Sequence, residues 1–156
     1  LASATMRFRQ EPSFRGLVLE QLDSALAVLR TARLAHRNIR PEVVHLGEDD
    51  RVLLTGFEFS AAEDGMTVRK TVQSNAERPP EVVRGEPYTS AGDVFAVGRM
   101  ALDILKPGND LPLARARKIK NKGLRTVFES VLADDPKRRP EGLRELALVL
   151  AQEGST

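Results

Sequence analysis

The run His36-Arg37-Asn38-Ile39-Arg40-Pro41-Glu42, followed by Val43-Val44-His45-Leu46, is the first place to look for chemistry. It sets an imidazole, two guanidinium groups, an amide and a carboxylate side by side. Their types exclude as much as they allow. The amide of Asn38 cannot act as a base, and the isopropyl group of Val43 cannot ligate a metal. His36 and His45 are the chain's two histidines and cannot by themselves make a metal site. Zero cysteines remove thiolate ligands and disulfides, so no metal staple is expected.

At 156 residues the chain is long enough for one domain with a sizeable core. Its 41% hydrophobic and 29% charged content is that of an ordinary globular protein. A net charge of +2 is too small to argue for nucleic acid. No apolar run approaches the roughly 18–20 residues of a membrane span, and no signal peptide is recognisable. A cytoplasmic location without membrane contact is therefore expected. The chain begins Leu-Ala-Ser rather than with Met, which suggests a piece of something longer.

The elements that must position the 36–42 run can be read in chain order. Residues 1–16 show little periodicity and are expected as an irregular lead-in. From about Ser13 to Ala35 apolar residues recur at helical spacing, with a shorter helix considered around Phe14–Leu19. Pro41 forbids continuation and biases Arg40 to an extended shape. Val43–Leu46 and Val52–Thr55, separated by Gly47-Glu48-Asp49-Asp50, predict a hairpin. Residues 56–80 lack any period, as functional or mobile segments often do. The run from Val94 to Leu105 is apolar on nearly all sides, which predicts a buried helix, with Ser90 and Asp93 as a capping pair. A short basic helix over 112–122 follows, then a striped helix through Leu124, Val127, Phe128, Val131 and Leu132. Pro140 is placed in the first turn of a last helix carrying Leu143, Leu146, Ala147 and Leu150. The fold class is mainly α with one small β-hairpin.

Several of these stretches resemble, in order, the motifs of eukaryotic-type protein kinases. His36–Glu42 is similar to H-R-D-L-K-P-E-N, and Gly56-Phe57-Glu58 stands where the family has D-F-G. Pro79-Pro80-Glu81 looks like A-P-E, Asp93 to Gly98 like D-V-W-S-x-G, and Asp135 to Pro140 like D-P-x-x-R-P. The likeness runs from about Leu17 to Leu150. It implies a kinase-like C-lobe over 17–152 with a tail at 153–156, and no N-lobe within this chain. Residues 1–16 contain neither the Gly-rich loop nor the V-A-I-K-like strand.

The resemblance divides the site residues. His36, Arg37, Phe57, Glu81, Asp93 and Arg139 keep the family's structural positions. It implies that Glu81 pairs with Arg139 and that Asp93 holds the backbone near His36 and Arg37. The positions of the base, the Lys and the two metal ligands hold Asn38, Arg40, Val43 and Gly56. Conventional transfer would then need substitutes such as Glu58, Glu63 or Asp64, and neither ATP nor magnesium is expected with this chain alone. Arg37 with Thr67, Thr71 and Ser74 could form a phosphate switch in the activation-segment equivalent, or the three could be plain polar loop residues. Arg115, Lys118, Lys122 and Arg125 would share a face if one helix persisted, either solvated or docking an acidic partner, although Gly123 is expected to break that helix. The favoured reading is a catalytically inactive, scaffold-like C-lobe in a larger bacterial protein, with protein partners or further domains of the same polypeptide. The alternatives are an active, atypical serine/threonine kinase C-lobe and a nucleic-acid module on the basic 115–125 stretch.

Overall fold

The computed structural model describes residues 1–57, 61–62 and 78–152, with 61 and 62 described in their backbone only. Its longest helix, α2 (Pro12–Thr31), follows a short α1 (Thr5–Gln10). The remaining helices are α3 (Pro80–Val83), α4 (Ser90–Leu105), α5 (Pro112–Arg117), α6 (Lys122–Val131) and α7 (Arg144–Gln152). Two small antiparallel pairs complete the described architecture: β1 (Leu34–Ala35) with β4 (Ala61–Ala62), and β2 (Val44–Leu46) with β3 (Val52–Leu54).

α4 runs through the core, burying residues on all sides, from Val94 through Val97 and Ala101 to Ile104. α2 packs against α7 so closely that a Cβ at Gly16 would lie 2.7 Å from that of Ala151. The glycine is what allows this approach. A fully buried Arg15 locks the same region: its guanidinium donates to Phe8 O (2.7 Å), Arg9 O (2.9 Å) and Leu150 O (3.2 Å). One cation thus satisfies carbonyls at the C-terminal ends of α1 and α7, where helical partners run out.

The hairpin predicted at Val43–Leu46 and Val52–Thr55 is present, with Val44 opposite Leu54 and Leu46 opposite Val52. Other expectations are corrected. Residues 1–16 are not irregular: a 3₁₀ turn at Ala2–Ala4 and α1 precede α2, and Leu1 and Phe8 are buried. Six residues are too few to show a period, and Pro12 starts α2 because its first turn needs no N–H. α2 is unbroken and ends at Thr31, short of Ala35, with no separate helix at Phe14–Leu19. A second strand pair accompanies the single expected hairpin; strands of two residues carry no readable alternation.

Thr89, not Ser90, caps α4 by accepting from Ala91 N, which frees Asp93 for other partners. The 112–122 helix stops at Arg117, and α6 begins at Lys122 because Asn121 Oδ1 accepts from Leu124 N at 2.9 Å. Gly123 therefore sits inside a first turn. Pro140 lies four residues before α7, whose start is set instead by Asp23 Oδ1 accepting from Leu143 N at 2.8 Å. No helix is long and apolar enough to cross a membrane among the described residues.

Candidate functional site

Asp93 enters from the first turn of α4 and gathers the loop after β1. Its Oδ2 accepts from His36 N at 2.7 Å; its Oδ1 accepts from Arg37 N at 3.1 Å and from Tyr88 Oη at 2.9 Å. These bonds hold Arg37 at φ 70, a left-handed conformation that a non-glycine residue adopts only when its surroundings impose it. Burial pushes the Asp93 carboxyl up from its ordinary range, and the donors on it pull the other way. The Arg37 guanidinium lies over the Tyr88 ring, 5.6 Å from its centroid.

The His36 ring is fixed at both nitrogens. Its Nδ1 accepts from Asn38 N at 3.1 Å, so the proton sits on Nε2, which donates to Thr55 O at 2.6 Å. The ring also meets Phe57 edge-on, with centroids 4.7 Å apart. Loop, hairpin end and Phe57 are thereby one assembly.

Tyr88 is the chain's only tyrosine, and burial beside Asp93 pushes its phenol well above the usual 10.0. A group raised on folding contributes stability below its unfolded value and loses it as pH rises through the folded one. Ultraviolet absorbance should therefore show no tyrosinate near pH 10 in the folded protein, and ordinary ionisation near pH 10 in urea. Ordinary titration without denaturant would mean that Tyr88 is not held against Asp93.

The positions that would do the chemistry are arranged differently. Gly56 has φ +78, and a Cβ there would lie 2.6 Å from Val43 Cγ1 and 3.2 Å from Asn38 Nδ2. Val43 fills the space that a side chain at 56 would need. Asn38 is buried, and its Oδ1 has no hydrogen-bond partner among the described residues. Arg40 is half-exposed, with Nε 3.8 Å from Glu42 Oε2. A nucleotide-bound magnesium does not fit this set: its ligand positions hold a glycine and an isopropyl group in contact range. No cluster of three or more His, Asp or Glu suited to a metal occurs among the described residues. Glu58, Glu63 and Asp64, the possible substitutes, lie outside the described residues, as do Thr67, Thr71 and Ser74 of the suggested phosphate switch. Arg37, the switch's receiving residue, is wholly buried.

A second buried hub lies at α3. Glu81 and Arg139 form a bidentate pair, Nη1 to Oε1 and Nη2 to Oε2, both at 2.7 Å. Arg139 also donates to Ala91 O (3.0 Å) and Ala133 O (2.9 Å), and its guanidinium stacks over Phe95 at 4.9 Å. One side chain therefore joins α3, the start of α4 and the end of α6.

The basic face that needed one continuous helix does not form, the break falling after Arg117 and not at Gly123. Arg115 turns inward, donating to Asp110 O (3.0 Å), Lys106 O (2.9 Å) and Asp103 Oδ1 (2.5 Å). Lys118 pairs with Asp110 at 2.8 Å, and Arg125 donates to Ile119 O at 2.9 Å. Arg115 is on α5 while Lys122 and Arg125 are on α6, and the break between those helices sends them different ways.

This mainly helical architecture has one small hairpin, and its Asp93 and Glu81–Arg139 hubs are the pairings that the resemblance to protein kinase C-lobes implies. Comparison with known proteins finds the same likeness. The chain is 32% identical over 94 residues to "Serine/threonine-protein kinase H2" of Homo sapiens, covering 56% of this chain and 24% of that protein. It is 28% identical over 103 residues to "Dual specificity protein kinase YAK1" of Saccharomyces cerevisiae, covering 61% and 13%. It is 32% identical over 92 residues to "Probable serine/threonine-protein kinase pknA2" of Bifidobacterium longum, covering 57% and 12%. The chain thus spans about a quarter or less of the length of these relatives. No family model matches it.

Proposed function

We propose that this chain is the C-lobe of a kinase-like protein that transfers no phosphate and serves as a binding and regulatory scaffold within a longer, bacterial polypeptide. The supporting observation is the Val43–Gly56 contact. Phosphoryl transfer in kinases depends on metal ions neutralising charge between the phosphates, with an acidic residue to accept the hydroxyl proton. Here the metal-ligand positions carry an apolar group packed against a glycine, and the base position carries a buried amide. The residues that hold the loop's shape are meanwhile in bonded positions, around Asp93 and His36. Shape is kept where chemistry is missing.

The test uses the protein with its upstream sequence intact. Its thermal midpoint with ATP and magnesium chloride should equal that with magnesium chloride alone, and no radiolabelled phosphate should enter casein or the protein itself. A magnesium-dependent shift accompanied by incorporation would establish an active kinase instead.

A further inference from the structure

His36 is wholly buried, and both of its ring nitrogens are committed. Nδ1 can only accept where it stands, because the group facing it is the backbone N–H of Asn38. The loop geometry therefore requires a neutral ring. A proton added to Nδ1 would set two donors face to face across 3.1 Å, and that bond would be lost.

An acceptor for such a proton stands in the same residue. Asn38 Oδ1 is buried and has no hydrogen-bond partner among the described residues. The Asn38 side chain reaches toward Gly56, its Nδ2 lying 3.2 Å from where a Cβ would be. Gly56 joins Thr55 and Phe57, the two residues that meet the His36 ring. Asn38 thus offers the ring a backbone donor for its neutral form and a side-chain acceptor for its charged one.

Few charged groups surround the ring. From α4, Asp93 accepts from His36 N at 2.7 Å, and its carboxylate attracts a positive ring. Arg37, next in the loop, carries the opposing charge and lies over Tyr88, whose hydroxyl also sits on Asp93. Glu81, beyond Tyr88, is paired with Arg139. On the hairpin side the ring meets Thr55 O and the Phe57 ring, and His45 reaches it only through the Thr55 hydroxyl, at 2.9 Å. Asp93 lets the buried ring accept a charge; the Asn38 N–H decides what then moves.

We propose that His36 is a proton-operated latch on the loop: its Nδ1 takes one proton from water, releases Asn38 N and pairs instead with Asn38 Oδ1, loosening the backbone from His36 to Asn38. The added charge stays on the ring. The latched loop holds one proton fewer than the released loop, so release gains ground as pH falls. The inference rests on the scaffold reading above, in which the loop's shape is what the chain offers, and the latch regulates that shape.

The test is nitrogen-15 NMR on the full chain, titrated from about pH 8 to about pH 5, the span in which an imidazole changes charge. At the upper end the His36 ring should carry its proton on Nε2 alone. As Nδ1 gains a proton, the protection of the Asn38 amide, corrected for intrinsic exchange, should fall about tenfold, as expected for one lost hydrogen bond. Protection within α2 and α7 should hold. His45→Gln, at an exposed site, should leave the response unchanged, and Asn38→Ala should move protonation of His36 to lower pH. A ring that stays neutral throughout would overturn the proposal. So would a charged ring with the Asn38 amide still protected, an equal loss in α2 and α7, or a response that vanishes in His45→Gln. These readouts do not depend on the nucleotide assay. Magnesium-dependent transfer with the pH response intact would remove the scaffold reading and keep the latch, and a silent nucleotide assay with a pH-insensitive loop would do the reverse.

Discussion

Replacing Arg139 with Met will destabilise the fold by about 3–5 kcal/mol, the range seen when one partner of a buried ion pair is removed. The Glu81 carboxylate is almost wholly buried and would lose its bidentate partner. Ala91 O and Ala133 O would lose their donor as well. At about 2–4 °C per kcal/mol for a chain of this size, the thermal midpoint should drop by roughly 10 °C. Arg139→Lys should recover little, because an ammonium cannot reproduce the two parallel bonds to Glu81. The double variant Glu81→Leu/Arg139→Met should regain much of the loss, since no charge is then stranded. Urea unfolding followed by circular dichroism reads all three. A loss below about 1 kcal/mol in the single variant would place the pair among ordinary surface bridges.

Asp93→Asn will cost about 3 kcal/mol or more, although it removes a charge from a buried place. Both carboxylate oxygens accept: one from His36 N, the other from Arg37 N and the Tyr88 hydroxyl. An amide offers one oxygen, and its NH₂ group would face a donor whichever way it turned. At least one buried N–H or O–H is left without an acceptor. The damage should also be local, so amide exchange at His36 and Arg37 should accelerate more than exchange within α2 and α7. Uniform acceleration everywhere would mean that Asp93 stabilises the fold without specifically holding the loop.

Parts of this arrangement are legible in the sequence, and the reasons are physical. The helical period of α2 and the all-round apolar run of α4 place the core, because burial selects residue type at fixed spacing. The hairpin is legible because turn residues separate two β-like runs. Glu81, Asp93 and Arg139 are different: a buried charge looks like a surface charge in sequence, and only the ordered set of motifs around them suggested their places. Arg15 was missed for that reason. Its guanidinium donates to three main-chain carbonyls, and a main-chain acceptor leaves no mark in a sequence. Arg115 misled in the opposite direction, being read as part of an open face while its guanidinium holds the loop after α4.

The contact between Val43 and Gly56 bears on how such a chain can change. An aspartate introduced at 56 alone would drive its Cβ into the Val43 side chain and force a left-handed backbone on a residue that resists it. An asparagine introduced at 43 alone would set a polar group beside a glycine that offers it no side-chain partner. The steric part of the cost at 56 is relieved only if the Val43 side chain changes as well, while the left-handed backbone remains. The two positions are therefore coupled, and neither can be enlarged or made polar without regard to the other.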